Sequence, residues 1–243
     1  MQIIKLSATE STNTFLQGLM RKENLPDFTV VVTENQTKGR GQREASWESE
    51  KGNNLTFSVL KKHLELKTEY QFLISICVSL AVHSLLIELN LPRVKIKWPN
   101  DILSGTLKVC GILIENVLNG KEVKSSVIGI GLNVNQTVFP DQLRATSIKK
   151  ELKQELPLEP LLEKLVEKLQ FFLSQVKVAN ELQLIAKYEE LLFRKDVAST
   201  FQKPDGTIFS GIISGVTPNG KLKVKLEDDT SVKFGLKEVK LLF

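Results

Sequence analysis

The stretch LKVCGILIENVLNGKEVKSSVIGIGLNV, residues 107–134, decides the fold. It reads as two strands, 107–118 and 122–134, joined at Asn119-Gly120, a dipeptide favoured in tight hairpin turns. Glycine inside a strand gives up side-chain packing, so Gly111, Gly129 and Gly131 mark either a bulge or a place where a ligand comes close to the backbone. A third strand is expected just upstream, over 94–98.

Working outward, a long apolar helix is expected over residues 68–89, opening on Thr68-Glu69-Tyr70-Gln71, the Thr-x-x-Gln form of a capping box. A helix of that kind belongs in the core. Strands are expected over 3–6, 28–33 and 54–60, and a helix over 11–23 that places Phe15, Leu16, Leu19 and Met20 on one face. The polar segment 34–52 is too long for a simple connection, and loops of this length are usually functional or disordered. Helices are expected over 158–176 and 182–193, with Asn180 and Gln183 suited to start the second. Beyond Arg194 short strands (197–201, 208–216, 221–226, 231–234, 238–242) alternate with Pro204-Asp205-Gly206, Asn219-Gly220 and Asp228-Asp229, the pattern of a small β-barrel. The chain therefore reads as α/β (α+β). Residues 1–193 form a mixed-sheet domain packed with helices, and residues 194–243 a small SH3-like barrel.

Composition excludes several classes. Of 243 residues, 42% are hydrophobic and 25% charged, ordinary values for a globular protein. The balance of 33 basic against 28 acidic residues, +5 overall, favours anionic ligands such as nucleotide phosphates or an acidic partner, without the density of a nucleic-acid groove. Cys77 and Cys110 lack the spacing of a metal site and read as buried reduced thiols. His63 falls in a basic loop and His83 in an apolar helix, so neither is a catalytic candidate. With no leader signal and no apolar run of spanning length, a soluble cytoplasmic protein is expected, without a membrane partner.

The polar motifs come in a definite order. Ser11-Thr12-Asn13 is followed by Gln36, then by Gly39-Arg40-Gly41-Gln42-Arg43 and Trp47, then Asn53-Asn54-Leu55. Lys97-Trp98-Pro99-Asn100-Asp101 comes next, then Lys108 with residues 111–115 (GILIE), and last residues 129–134 (GIGLNV). Two arginines on a backbone loosened by glycine suit a loop that orders around a polyanion. Proline after a strand followed by Asn-Asp suits a turn closed by its own side chains.

This ordered set, from about Ser11 to Asn135, resembles the catalytic domain of biotin-protein ligases. The resemblance implies ATP-dependent activation of the biotin carboxylate to biotinyl-5'-AMP, followed by transfer to one lysine of a biotin carboxyl carrier protein domain. ATP and biotin are substrates, Mg²⁺ is required, and no cofactor is tightly bound. It places Lys108 between carboxylate and α-phosphate, where a point charge can follow charge as it moves. It places Arg40, and with it Arg43, on a loop that closes over the adenylate and shields a mixed anhydride from water. Ser11, Thr12, Asn13 and Gln36 would bind the ureido ring, although such residues also cap helices. Gly39, Gly41, Gln42 and Trp47 belong to the loop. Asn100 and Asp101 would border the nucleotide, Asp101 also a magnesium ion that keeps most of its waters. Gly111, Gly131 and Asn133 would let strands approach the ligand. The chain departs from the commoner pattern at Glu44, where glycine is usual, and at Ala45-Ser46.

Bifunctional members of that family carry an N-terminal winged helix, and only ten residues precede Ser11, so the enzyme alone is expected, without DNA, as a monomer or homodimer. The competing expectations are a lipoate-protein ligase or octanoyltransferase of the same superfamily and, from another class, a basic RNA-binding protein. The second predicts aromatics interleaved with arginine on the barrel. The barrel has Phe201, Phe209, Phe234 and Phe243 but no arginine after Arg194.

Overall fold

A computed structural model describes residues 2–42 and 45–243. Seven strands form one mixed sheet: β1 (Gln2–Leu6), β2 (Thr29–Thr33), β3 (Asn54–Lys67), β4 (Val94–Lys97), β5 (Asp101–Ser104), β6 (Leu107–Asn119) and β7 (Glu122–Asn133), in the order β1-β2-β3-β7-β6-β5-β4. Only β1 and β2 run parallel; the other pairs are antiparallel. The hairpin read from the sequence joins β6 to β7, and Gly120 has φ 59° at the first of the two loop positions, where a type II′ turn wants glycine.

One residue parity governs the sheet's two faces. Leu55, Phe57 and Val59 of β3 and Ile128, Ile130 and Leu132 of β7 point to the same side. There they are buried in one apolar core with helices α2 (Phe72–Glu88), α4 (Leu158–Leu173) and α5 (Glu181–Glu190). The intervening residues face α1 (Thr12–Lys22), whose Leu16 packs with Val31, Leu60 and Val127.

Several expectations are corrected. β3 runs to Lys67 rather than residue 60: a bulge between Lys62 and Leu66, with His63 and Glu65 at φ 54° and 43°, breaks the alternation that marks a strand, and places His63 in β3 rather than in a loop. β5 and the short α3 (Ile148–Leu152) were not expected from the sequence. The Thr68–Gln71 capping box does not form. A turn of 3₁₀ helix intervenes, and the Gln71 side chain accepts from Asn116 Nδ2 at 2.9 Å instead. Residues Thr68–Glu88 are long and apolar enough to cross a membrane, contrary to the expectation that no such run exists. Two-thirds of its most apolar stretch is buried inside the molecule, and a helix apolar all round is what a core helix requires. Cys77 and Cys110 are free and buried, and burial pushes the Cys77 thiol up to about 12.

The C-terminal strands β8 (Ala198–Gln202), β9 (Ile208–Val216), β10 (Leu222–Lys225), β11 (Ser231–Phe234) and β12 (Lys240–Leu242) form a separate antiparallel sheet ordered β11-β10-β9-β8-β12. Phe209 stacks between Phe201 and Phe234 at 5.4 and 5.6 Å, and those two rings are buried, so they offer no platform for nucleic-acid bases. Among the contacts that fix this sheet to the rest of the molecule, two are hydrogen bonds to the Trp98 corner and to α5. Trp98 Nε1 donates to the Gly220 carbonyl at 2.9 Å, and Val216 N donates to Glu189 Oε1 of α5 at 2.7 Å.

Candidate functional site

The α1 face of the sheet is built from rows of small and polar residues. Thr56, Gly131 and Gly111 lie side by side across β3, β7 and β6, and Ser58, Gly129 and Leu113 form the next row. Each glycine is there because a side chain crosses it. A Cβ on Gly129 would come 2.4 Å from Asn13 Oδ1, one on Gly131 2.2 Å from Trp47 Cε2, and one on Gly111 2.9 Å from Trp47 Cζ3. These contacts are closer than any real Cβ tolerates, so the floor is shaped by deletion of side chains.

Over this floor lies a cleft of about 220 Å³ lined by Ser11, Thr12, Asn13, Gln36, Arg40 and Trp47, with Gly41, Gln42, Asn100, Asp101, Lys108, Gly111 and Gly131 also at its walls. Ser11 stands at the N-cap of α1 in extended conformation, yet makes no side-chain cap bond, so its hydroxyl is not spent on the helix. Gln36 Oε1 accepts from Thr12 N at 2.9 Å, and Ser58 Oγ lies 2.7 Å from Thr12 Oγ1 and 2.6 Å from Asn13 Oδ1. Thr12, Asn13 and Ser58 are all buried. Buried polar groups of this kind are held rigid by their mutual bonds.

The loop above is a small closed turn: Trp47 N donates to Gly39 O at 2.9 Å and Gly41 N to Ala45 O at 2.6 Å. Arg40 reaches Glu115 Oε1 through Nη2 at 2.6 Å and Thr14 Oγ1 through Nη1 at 3.2 Å. Arg43, and Glu44 beside it, lie outside the described residues. The buried Trp47 Nε1 has no hydrogen-bond partner among the described residues and lies against Gly131.

Lys108 sits at the far wall. Its Nζ is 2.6 Å from Asp101 Oδ1 and 5.4 Å from the centre of the Trp47 ring. Its backbone is bonded on both sides to the following loop, with Lys108 N donating to Arg144 O and Thr146 N to Lys108 O, both at 2.9 Å. Asp101 Oδ2 is 3.8 Å from Lys97 Nζ. Burial pulls the Lys97 ammonium below its ordinary range, against the attraction of Asp101, and the like charges of Lys108, Arg144 and Lys240 add to the fall.

A second, larger cleft of about 940 Å³ opens between this wall and the small sheet, with Lys97, Arg144, Lys203, Lys237 and Lys240 among its lining. Asp101 and Lys108 line both clefts, and Asp101 is the one carboxylate lining either of them among the described residues.

Most residues singled out from the sequence thus converge here. Two stand apart from the lining. Gly39 packs under the loop, where a Cβ would meet Trp47 O at 2.1 Å. Asn133 is buried and spends its amide on Thr146 O at 3.0 Å, which anchors the loop next to Lys108. Asn100 lines the cleft while its amide donates to Ile112 O at 2.8 Å, fixing β6 behind Gly111. Ser58 stands outside the sequence motifs and Glu115 only closes residues 111–115 without a role of its own, and the strand parity that puts Glu115 on the same side as Gly111 was the available signal. No group of three or more His, Cys, Asp or Glu residues suited to a metal ion is present among the described residues.

Residues 6–133 match the Biotin/lipoate A/B protein ligase family. Among curated proteins, the bifunctional ligase/repressor BirA of Bacillus subtilis (strain 168) is 37% identical over 150 residues, which are 60% of this chain and 44% of that protein. The biotin--[acetyl-CoA-carboxylase] ligase of Paracoccus denitrificans is 34% identical over 131 residues, 53% of each. The chain therefore spans about half the length, or less, of the curated relatives it matches. The structure of a biotin protein ligase from Aquifex aeolicus in complex with biotin and ATP superimposes with a TM-score of 0.82 at 25% identity, over 99% of this chain and 98% of that one.

Proposed function

The chain belongs to the Biotin/lipoate A/B protein ligase family, and from that premise we propose that it is an ATP-dependent biotin-protein ligase, which forms biotinyl-5'-AMP and passes the biotinyl group to a lysine of a carboxyl carrier domain. The observation that carries this reading is the placement of Lys108 and Asp101 on the wall shared by two clefts. The smaller cleft has polar ends and a glycine floor suited to a flat bicyclic acid. The larger is basic, suited to phosphates and to an acidic carrier surface.

In this reading Thr12, Asn13 and Gln36 take the ureido group, and the acid chain runs over Gly131 and Gly111 toward Lys108 once the Trp47 indole has lifted off those glycines. The Lys108 ammonium lies where the carboxylate meets the α-phosphate. There it offsets charge on both, and a cation aimed at developing charge is commonly worth about 3–4 kcal/mol of the barrier. No side-chain nucleophile is needed, because the substrate carboxylate attacks and pyrophosphate leaves. Trp47 and the Arg40 loop cover the product and exclude water. Asp101 would hold Mg²⁺, with the nucleotide phosphates as the other ligands, which suits an ion that keeps its waters and needs few carboxylates; bound there, it would add positive charge to the phosphates. Residues 194–243 are proposed as a separate SH3-like domain whose basic wall receives the carrier.

Calorimetric titration with biotin and with lipoic acid, each with and without Mg-ATP, tests the assignment. Biotin binding and pyrophosphate release on addition of ATP are expected. Heat with lipoic acid alone would move the chain to the lipoate branch, and heat with neither would overturn the proposal.

A further inference from the structure

Arg40 is not free to meet an anion. Its Nη2 is 2.6 Å from Glu115 Oε1 and its Nη1 3.2 Å from Thr14 Oγ1, so an anionic ligand must share or replace a carboxylate that already neutralises the guanidinium. Glu115 is itself fixed: its other oxygen accepts from Asn13 Nδ2 at 2.8 Å, and Asn13 is buried and lines the smaller cleft. Glu115 therefore touches both the loop that carries Arg40 and the side chain proposed to recognise the ureido ring, although it lines neither cleft.

We propose that Glu115 is a positioning residue that competes with the adenylate phosphate for Arg40. The proposal rests on the ligase reading. The bond from Asn13 lowers the energy of the carboxylate where it stands. Arg40 and Glu115 are 47% and 24% exposed, so solvent screens the pair and the expected effect is modest.

The test compares wild type, Glu115→Gln and Glu115→Asp against two stable ligands. Biotinol-5'-AMP keeps the phosphate anion, and the ester of biotin with the 5'-hydroxyl of adenosine lacks it. Glutamine still accepts from Asn13 but does not compete as an anion. Glu115→Gln is therefore expected to bind biotinol-5'-AMP about fivefold more tightly, at the upper end for a half-exposed ion pair. It should bind the neutral ester within about twofold of wild type, and Glu115→Asp, which keeps the charge, should keep the wild-type ratio of the two affinities. Equal weakening of both ligands by Glu115→Gln, or no change in their ratio, would mean that Glu115 only braces the fold. Wild type binding neither ligand would instead overturn the ligase reading, and this proposal with it.

Discussion

The two faces of the central sheet are written in the same strands and obey opposite rules. Toward α2 and α4, Leu55, Phe57, Val59, Ile128, Ile130 and Leu132 fill space. Toward α1 and the Arg40 loop, Thr56, Ser58, Gly129 and Gly131 leave it open, and what enters is Asn13 and Trp47. One face holds the fold by burying apolar area. The other holds a site by lacking side chains, at a cost in packing that the first face must offset.

The contrast would break if the faces could exchange consequences, and substitutions test that. Phe57→Ala, on the filled face, should cost about 3–5 kcal/mol of stability, seen as a lower urea midpoint with an unchanged slope. A loss of activity without that shift would mean the face is not mainly structural. Lys108→Ala, at the open face, should slow adenylate formation by about 10²–10³-fold, measured as pyrophosphate release in a single turnover, while the melting temperature stays put. An unchanged rate would remove Lys108 from the chemistry.

Gly131→Ala sharpens the comparison, because it adds only one methyl. That methyl has to displace the Trp47 indole, and overpacking of this order costs about 1–3 kcal/mol. The cost is expected in ligand affinity and in tryptophan fluorescence rather than in unfolding, since the loop can move and the strands cannot. Full retention of biotin binding with an unshifted emission would show that the close approach of Trp47 to Gly131 is incidental.

The filled face was legible in the sequence because its signal is local: a continuous β-branched run marks β2, the ends of β6 and β7 are set by turn residues, and α2 announces itself by being apolar throughout. The failures have physical causes. β5 has only four residues directly after a turn, too few to show a period, and β3 was cut short because the bulge at His63 interrupts the alternation. Thr68-x-x-Gln71 has the letters of a capping box, but Asn116 on β6 takes the glutamine, a competition that no local window contains. At the site, Lys108, Asp101, Arg40 and the Ser11–Thr12–Asn13 run were visible as polar motifs. Ser58 was not, and Glu115 was visible only as the last residue of the 111–115 motif, without a role, because each acquires its partner only when β3, β6 and α1 are brought together across 45 and 102 residues of chain. Asn133 illustrates the reverse: the motif flagged it, and the fold spends it on a backbone carbonyl.

The bond from Trp98 to the Gly220 carbonyl has an evolutionary consequence. Trp98 opens the corner that carries Asn100 and Asp101, and Gly220 sits at φ 83° so close to Phe72 that a Cβ there would come within 2.6 Å of that ring. The corner beside the wall shared by the two clefts is therefore completed by a turn some 120 residues further along the chain. A lineage could not trade its terminal sheet for an unrelated one by simple recombination at residue 194. The incoming piece would have to bring a glycine turn with its carbonyl in the same place, so the two halves are constrained to drift as a pair.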